Sequence, residues 1–511
     1  MKKTTLFLLL FLISSCASIK KYNENLEKTI APEKLKKDID FAYLKLQKLH
    51  PNLYWYISKD SLDFKFDSLK STITKPLKPL AFYEKLEPII AKIKEGHLRV
   101  IPPAEKFTKK EIKELERQKG LLGRMNYVID GDRIFVKDNA DQFENIKVGT
   151  EILKIKDTAV KNYLEKYKTF INSDGYNKTF QKYSLARNWP LFFTIENGIL
   201  DSVKIETKYN NELKDFYIHR EKITKKEEKA SKAKNKKLTK SETGKVKDYN
   251  IITKSYNRDL QFPTKDSAIA YMKIKTFSGT FSRKFYKESF KEIKNAKSKY
   301  LILDIRDNLG GSLYEINNLY SYLVSEKFQF VNDIEVTSRN AMFHADYFKP
   351  IPNLAKPIAA LVYPLYFVGT ALSTKKKDGK FYLRNNGIFS IKKPKKDAFK
   401  GKIYVLINGS SFSAASILPS KLKGDKRAII VGEETGGAND GTVAGRYSTE
   451  TLPNSKLKLP IGLMLIQPHI KFTNTKKGVV PDHEISLTTQ QVLAKKDLAL
   501  DWVMDEIRGE K

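Results

Sequence analysis

Two stretches of this 511-residue chain place reactive or donor groups at the end of an apolar run. Residues 402–416 read Lys-Ile-Tyr-Val-Leu-Ile-Asn-Gly-Ser-Ser-Phe-Ser-Ala-Ala-Ser, an apolar strand running into a small polar turn and then a helix through Ile417 and Leu418. A hydroxyl at such a junction projects from the strand end beside the positive end of the helix, where backbone N–H groups point outward. That setting suits a nucleophile whose tetrahedral intermediate must be stabilised. The same pattern also arises when Ser410, Ser411 and Ser413 only cap a helix. Residues 301–312 read Leu-Ile-Leu-Asp-Ile-Arg-Asp-Asn-Leu-Gly-Gly-Ser. Paired glycines after a buried strand let the backbone approach a ligand closely and offer unpaired N–H donors. Gly310 and Gly311 are therefore either an oxyanion hole or a tight strand-to-helix turn.

Histidine is the other residue type suited to proton transfer near neutrality. The chain has six. His50, His219, His344, His469 and His483 are scattered and form no H-E-x-x-H pair, so no metal site and no cofactor is expected. His97 closes the short element Glu95-Gly96-His97.

The length asks for several domains. With 41% hydrophobic and 11% aromatic residues the chain can bury a large core. Its 94 Lys+Arg against 59 Asp+Glu give a net charge of +35. The excess is dispersed lysine without zinc-finger spacing or an aromatic RNA-binding signature, so nucleic acid is not the expected partner. Lys2 and Lys3, the apolar run 6–13 and then Ser14, Ser15 and Cys16 form a signal peptide over residues 1–15. Cys16 is the single cysteine, which excludes an internal disulfide. The apolar run is too short to span a bilayer of ~20 residues.

Residues 16–118 read as mainly helical, with Leu35, Ile39, Ala42, Tyr43, Leu46 and Leu49 at helical spacing, a break at His50-Pro51 and a second segment around 82–93 stopped by Gly96. Short strands dominate 119–221, among them 127–129, 133–136 and 151–155. Residues 222–250 are a linker: from Lys222 through Lys247, both included, there are eleven lysines and three glutamates, too polar to offset their ordering entropy. From 251 to 511 the pattern is α/β, with strands expected at 268–276, 300–305, 359–362, 402–407 and 428–432 and a helix at 312–324.

Taken in order, these stretches resemble the C-terminal processing (tail-specific) serine peptidases. Residues 304–311 are similar to the family's D-x-R-x-N-x-G-G signature, and 408–416 to its N-G-x-x-x-S-A-x nucleophile segment. Residues 431–437 resemble its G-E-x-T element, 478–482 its G-V-x-P-D element, 269–277 the strand opening its catalytic domain and 95–97 its D-G-H element. The resemblance implies an α/β fold with a crotonase- or ClpP-like core, an N-terminal helical region and a PDZ-like β-rich module at 119–221, where 148–155 resembles a PDZ strand pair. It implies Ser413 as nucleophile and Gly310, Gly311 and Ala414 as oxyanion donors. Ser-Lys members carry a lysine about 25 positions after the serine, where this sequence has Ala438. The tricorn-like branch uses histidine, and His97 falls on that pattern. Its glutamate is missing, since 472–477 contains no acid. Glu433, Glu434 and Asp482 are then the candidates to orient His97.

The expected activity is that of a serine endopeptidase acting on polypeptides through an acyl-enzyme. Residues 12–16 resemble a bacterial lipobox, which implies lipidation at Cys16 and a cell-envelope protein anchored in a membrane, facing the periplasm or the cell surface. The alternative is a catalytically silent relative that binds peptides or apolar ligands on the same fold.

Overall fold

The structure is a computed structural model that describes residues 19–139, 143, 146–223, 247–250, 255–279, 282–347, 356–384, 387, 389–471 and 476–509. The signal segment with Cys16, and the lysine-rich stretch 224–246, lie outside the described residues.

The molecule is α/β, and its described residues build three sheets. In the first half, helices α1 (Pro32–Leu49), α2 (Lys59–Thr72), α3 (Pro79–Ala91) and α4 (Lys109–Leu115) precede strands β1 (Met125–Asp130), β2 (Arg133–Asn139), β3 (Glu151–Ile155), β4 (Thr158–Ala159), β5 (Ser202–Tyr209) and β6 (Glu212–His219). These strands form one sheet in the order β1-β2-β3-β5-β6, with β4 on β3. Between β4 and β5 run α5 (Val160–Lys168) and α6 (Thr179–Asn197). Short strands dominate the sequence pattern of this region, and the structure adds these two helices. Helix α6 buries Phe180, Ser184, Leu185, Trp189 and Phe193, a helical spacing that its polar neighbours and Pro190 obscure.

The second half holds β7 (Lys247–Asn250), β8 (Ser255–Gln261), β9 (Ile269–Ile274), α7 (Ser282–Asn295), β10 (Tyr300–Asp304) and α8 (Leu313–Tyr320). They are followed by β11 (Glu335–Val336), α9 (Lys356–Leu372), β12 (Thr374–Lys377), β13 (Lys380–Leu383), β14 (Lys402–Ile407) and α10 (Ala414–Gly424). Last come β15 (Ile429–Gly432), β16 (Thr442–Thr451), β17 (Lys458–Ile466), β18 (His483–Glu484), α11 (Thr489–Leu493) and α12 (Leu498–Arg508). The central sheet has the order β18-β15-β14-β10-β9-β8-β7, and the strands from β9 to β18 are parallel. Both of its faces are covered, which is why β10 and β14 are continuous apolar runs. Leu301, Leu303, Ile403 and Val405 join the main core, while Ile302, Tyr404 and Leu406 pack on the other side with Ala499 and Val503 of α12.

Parallel pairing has a direct consequence for chemistry. With Asp304 opposite Leu406, the carboxyl ends of β10 and β14 stand side by side, so the glycine pair after one strand and the serine turn after the other emerge together. That edge is where open α/β sheets bind ligands. The third sheet, β12-β13-β11-β17-β16, is antiparallel. The N-terminal helices dock on its hairpin through Asp38, whose buried carboxylate accepts the N–H groups of Asn454 and Ser455 at 2.9 and 2.7 Å.

Three expectations need correction. Residues 359–362 are part of helix α9, not a strand: the apolar run continues well past strand length, and a proline at 364 argues against a buried strand. Gly96 does not stop a helix, since α3 ends at Ala91. Its smallness serves close packing, because a Cβ there would lie 2.6 Å from the Phe412 ring and 3.0 Å from the Asp174 carboxylate. Finally, residues 247–250, assigned to the linker, pair with β8 as an edge strand of the central sheet.

Strand β7 is held by a buried charge network. The fully buried Arg258 guanidinium donates to Asp248 and, at 2.8 Å twice, to Glu315 at the start of α8, which also accepts the Tyr286 hydroxyl at 2.7 Å. Substituting Arg258→Met leaves two carboxylates buried without their cation. Denaturant unfolding is expected to show a loss of about 3–5 kcal/mol, with the double variant Arg258→Met/Glu315→Gln losing less than the sum of the singles.

Candidate active site

Ser413 sits at the N-terminus of α10 with φ 58° and ψ −122°, a backbone conformation that only a sharp turn imposes on a side-chain-bearing residue. Around it the elbow is built from tight approaches. A Cβ on Gly310 would come within 2.8 Å of the Ser413 Cβ and 2.9 Å of the Ala414 nitrogen, and one on Gly437 within 2.9 Å of the Ser413 nitrogen. The neighbouring hydroxyls are spent on structure: Ser410 Oγ accepts from Arg187 at 2.8 Å, and Ser411 Oγ donates to the Ile305 carbonyl at 2.9 Å. Ser413 is the one of the three that faces a cavity.

His97 reaches it from the loop after α3. Its Nε2 lies 3.0 Å from Ser413 Oγ, and its ring stacks at 4.7 Å on Phe412, which in turn stacks at 4.5 Å on Phe180 of α6. The loop is pinned on both sides of the imidazole. Glu87 accepts the Val100 N–H at 2.5 Å, Asn172 donates to the Leu98 carbonyl, and Asp174 accepts the Gly96 N–H at 2.6 Å.

Behind the imidazole, Thr442 Oγ1 lies 2.9 Å from His97 Nδ1 and 3.2 Å from Glu95 Oε1. When Glu95 is ionised it only accepts, so the threonine hydroxyl donates to it and the threonine oxygen accepts Nδ1–H. That order fixes the tautomer and leaves Nε2 bare toward the serine hydroxyl. Glu95 is buried, its other oxygen accepts the Val443 N–H at 3.3 Å, and its carboxylate stands 3.5 Å from Nδ1. Asp174, fully buried beside it, also accepts the Ala438 N–H at 3.1 Å. Position 438, where the Ser-Lys members have lysine, thus supplies a backbone donor.

Burial sets the electrostatics. It holds the His97 imidazole below its ordinary pKa, which favours the neutral ring. It pushes Glu95 up to about 7 and Asp174 well above the usual carboxylate range, the latter raised further by the Glu95 charge. Glu95, His97 and Asp174 offer ligand-type atoms within 4.8 Å of one another, and each is engaged by the hydrogen bonds just described.

The glycine loop is organised by the signature residues around it. Asn308 donates to the Ile274 carbonyl at 3.0 Å and accepts the Gly310 N–H at 2.8 Å, while Asn408 bridges the Asp307 and Ser410 amides at 3.0 and 3.1 Å. Asp304 and Arg306 form an ion pair at 2.8 Å that extends to Asp497. Of the three expected oxyanion donors, Gly310 has its N–H committed to Asn308. The amides of Gly311 and Ala414 have no acceptor among the described residues. Gly311, at φ 143°, is pressed against Phe277, where a Cβ would meet the carbonyl oxygen at 2.3 Å.

The three acids expected to orient His97 do other work. Glu433 accepts the Tyr183 hydroxyl, Glu434 accepts the Gly478 N–H at 2.7 Å, and Asp482 accepts the Ile430 N–H at 2.8 Å and pairs with Lys423 at 2.7 Å. Sequence reasoning missed Glu95, Asp174 and Thr442. Glu95 lay in plain view two positions before His97, whereas Asp174 and Thr442 come from loops joined to it only by the fold.

The pH dependence of stability follows from Glu95. Its folded-state pKa of about 7 exceeds the ordinary value, so the stabilisation it contributes is complete below about pH 4.5 and is lost as pH rises through 7. Thermal melts at pH 5 and pH 8 are expected to show a smaller drop in midpoint for Glu95→Gln than for the parent protein.

Residues 268–485 match the model of peptidase family S41. No curated protein sequence matches the chain. Among solved structures, mature CPAF complexed with lactacystin superposes with a TM-score of 0.61 at 16% identity, over 93% of this chain and 97% of that one, a likeness of fold. The photosystem II D1 C-terminal processing protease gives a TM-score of 0.41 at 15% identity, over 91% of this chain and 98% of that one. The matched span contains the signature loop, the paired glycines and the Ser413 elbow: residues 268–485 form a domain of peptidase family S41, and the chain is a serine-type peptidase.

Proposed function

We propose that the protein is a cell-envelope endopeptidase that cleaves polypeptides through an acyl-enzyme on Ser413. The observation that carries this reading is the 3.0 Å approach of His97 Nε2 to Ser413 Oγ beside two unengaged amides. As Ser413 Oγ attacks the scissile carbonyl carbon, its proton passes to Nε2, and the new oxyanion is held by the Gly311 and Ala414 N–H groups. The imidazolium is stabilised through Thr442 by Glu95 and returns the proton to the leaving amine, breaking the C–N bond. Water, deprotonated by the same nitrogen, then cleaves the ester. Thr442, Glu95 and Asp174 are positioning residues in this scheme, and no cofactor enters it.

A cavity of about 620 Å³ opens beside Ser413, walled by Leu313, Met342, Leu383, Ile417 and Met464. Its lining supports a large apolar substrate side chain next to the bond that is cut. The signal peptide and the lipobox-like cysteine support a lipid-anchored protein on the periplasmic or outer face of a membrane.

A fluorophosphonate probe tests the chemistry directly. The parent protein is expected to label. Labelling is expected to vanish in Ser413→Ala and to fall on the order of 10³-fold in His97→Ala. Thr442→Val, which removes the acceptor of Nδ1–H, is expected to fall by roughly 10- to 100-fold, while Thr442→Ser retains most of the rate. A folded parent protein that does not label would replace this reading with that of a silent binder of peptides or apolar ligands. The acid limb of the labelling rate is expected below pH 6.5, because burial lowers the His97 pKa.

A further inference from the structure

Helix α9 carries the largest apolar exposure among the described residues. Leu361, Leu365, Val368 and Leu372 are 79%, 73%, 52% and 65% exposed. Their spacing of four, three and four places them on one side of the helix. On the flanks Val362, Tyr363 and Phe367 are also exposed, at 47%, 41% and 42%. A different side of α9 contributes Tyr366, Gly369 and Thr370 to the cavity beside Ser413, and Phe343 packs edge-on against Tyr363 and Phe367 at 4.9 and 5.0 Å. The helix is therefore docked on the catalytic domain and still presents a wide greasy surface outward. Soluble proteins rarely leave such a patch without an occupant.

Charge indicates which occupant. From Leu361 to Leu372 the helix has no ionisable group except tyrosine hydroxyls, and the hairpin that follows bears Lys375, Lys376, Lys377 and Lys380. Lys375 and Lys380 pair with Asp333 and Glu335 at 2.5 and 2.8 Å. Lys376 and Lys377 are exposed and pair with no acid among the described residues. Two copies of a chain of net charge +35 repel each other, and bringing two such hairpins together adds to that repulsion. Helix pairing also needs only the narrow leucine stripe, whereas the exposed apolar arc here is much wider. An anionic lipid surface satisfies both features, since acyl chains take the apolar arc and phosphates take the lysines. The helix has 17 residues, and no described helix is long and apolar enough to cross a membrane, so the fit is to the plane of the interface.

We infer that the outward face of α9 lies in the headgroup layer of an anionic bilayer, with Lys376 and Lys377 on the phosphates.

Vesicle flotation tests the contact with protein comprising residues 17–511, which keeps every described element and has no lipid anchor. The Ser413→Ala background removes any dependence on the peptidase reading. Vesicles of phosphatidylglycerol mixed with phosphatidylcholine are compared with phosphatidylcholine alone at low salt. Binding is expected only to the anionic vesicles. It is expected to weaken about tenfold or more in Leu361→Glu/Leu365→Glu, and several-fold with a flatter salt dependence in Lys376→Glu/Lys377→Glu, at unchanged melting midpoints. Absence of binding, or equal binding to both vesicle types, overturns the inference. So does a dimer seen by sedimentation without vesicles that the leucine variant dissolves, which would assign the face to a second copy of the chain.

Discussion

The structure depends on keeping one imidazole neutral, in one tautomer, against a hydroxyl 316 positions away along the chain. A buried neutral ring is favoured by desolvation, but its orientation is not, and a ring free to turn would present the wrong nitrogen. The threonine relay to Glu95 supplies the orientation. Glu95 is itself a buried acid beside a second one, Asp174, and the pair is tolerable because three backbone amides and one hydroxyl donate into it. Much of the surrounding architecture serves to deliver those donors: the His97 loop, the Ala438 turn and the start of β16 meet at this point.

The two halves of the site are held by different means. The serine side is a property of the parallel sheet, in which adjacent strand ends bring a glycine loop and the Ser413 turn together, with Asn308 and Asn408 linking one loop to the other. The histidine side is imported by the N-terminal helices, which gain their place by capping the β16–β17 hairpin through Asp38. The scaffold thus draws the Gly311 and Ala414 amides and the His97 imidazole from regions that the chain order keeps far apart.

The serine side was legible in the residue pattern because the strand, turn and helix that make it are contiguous, and the paired glycines have few other uses. His97 became visible only through resemblance to a family, since nothing local marks a lone histidine as a base. Its orienting acid was sought downstream among Glu433, Glu434 and Asp482, each of which caps or braces a loop. Glu95 was overlooked because a carboxylate two residues from a histidine is common and gains meaning only when burial and Thr442 are known. Helix α6 and the 359–362 segment were misread for a related reason: Pro190 and Pro364 interrupt patterns that the folded chain nevertheless continues as helix.

The stacking of His97, Phe412 and Phe180 has a mechanical effect. Phe412 precedes Ser413 in the same turn, so the face of the His97 ring rests on the loop that carries the hydroxyl 3.0 Å from its Nε2. The two side chains therefore share a packing contact, through the Phe412 ring, as well as their hydrogen bond. Phe180 closes the stack from α6, so the β-rich half of the molecule packs behind the His97–Ser413 pair.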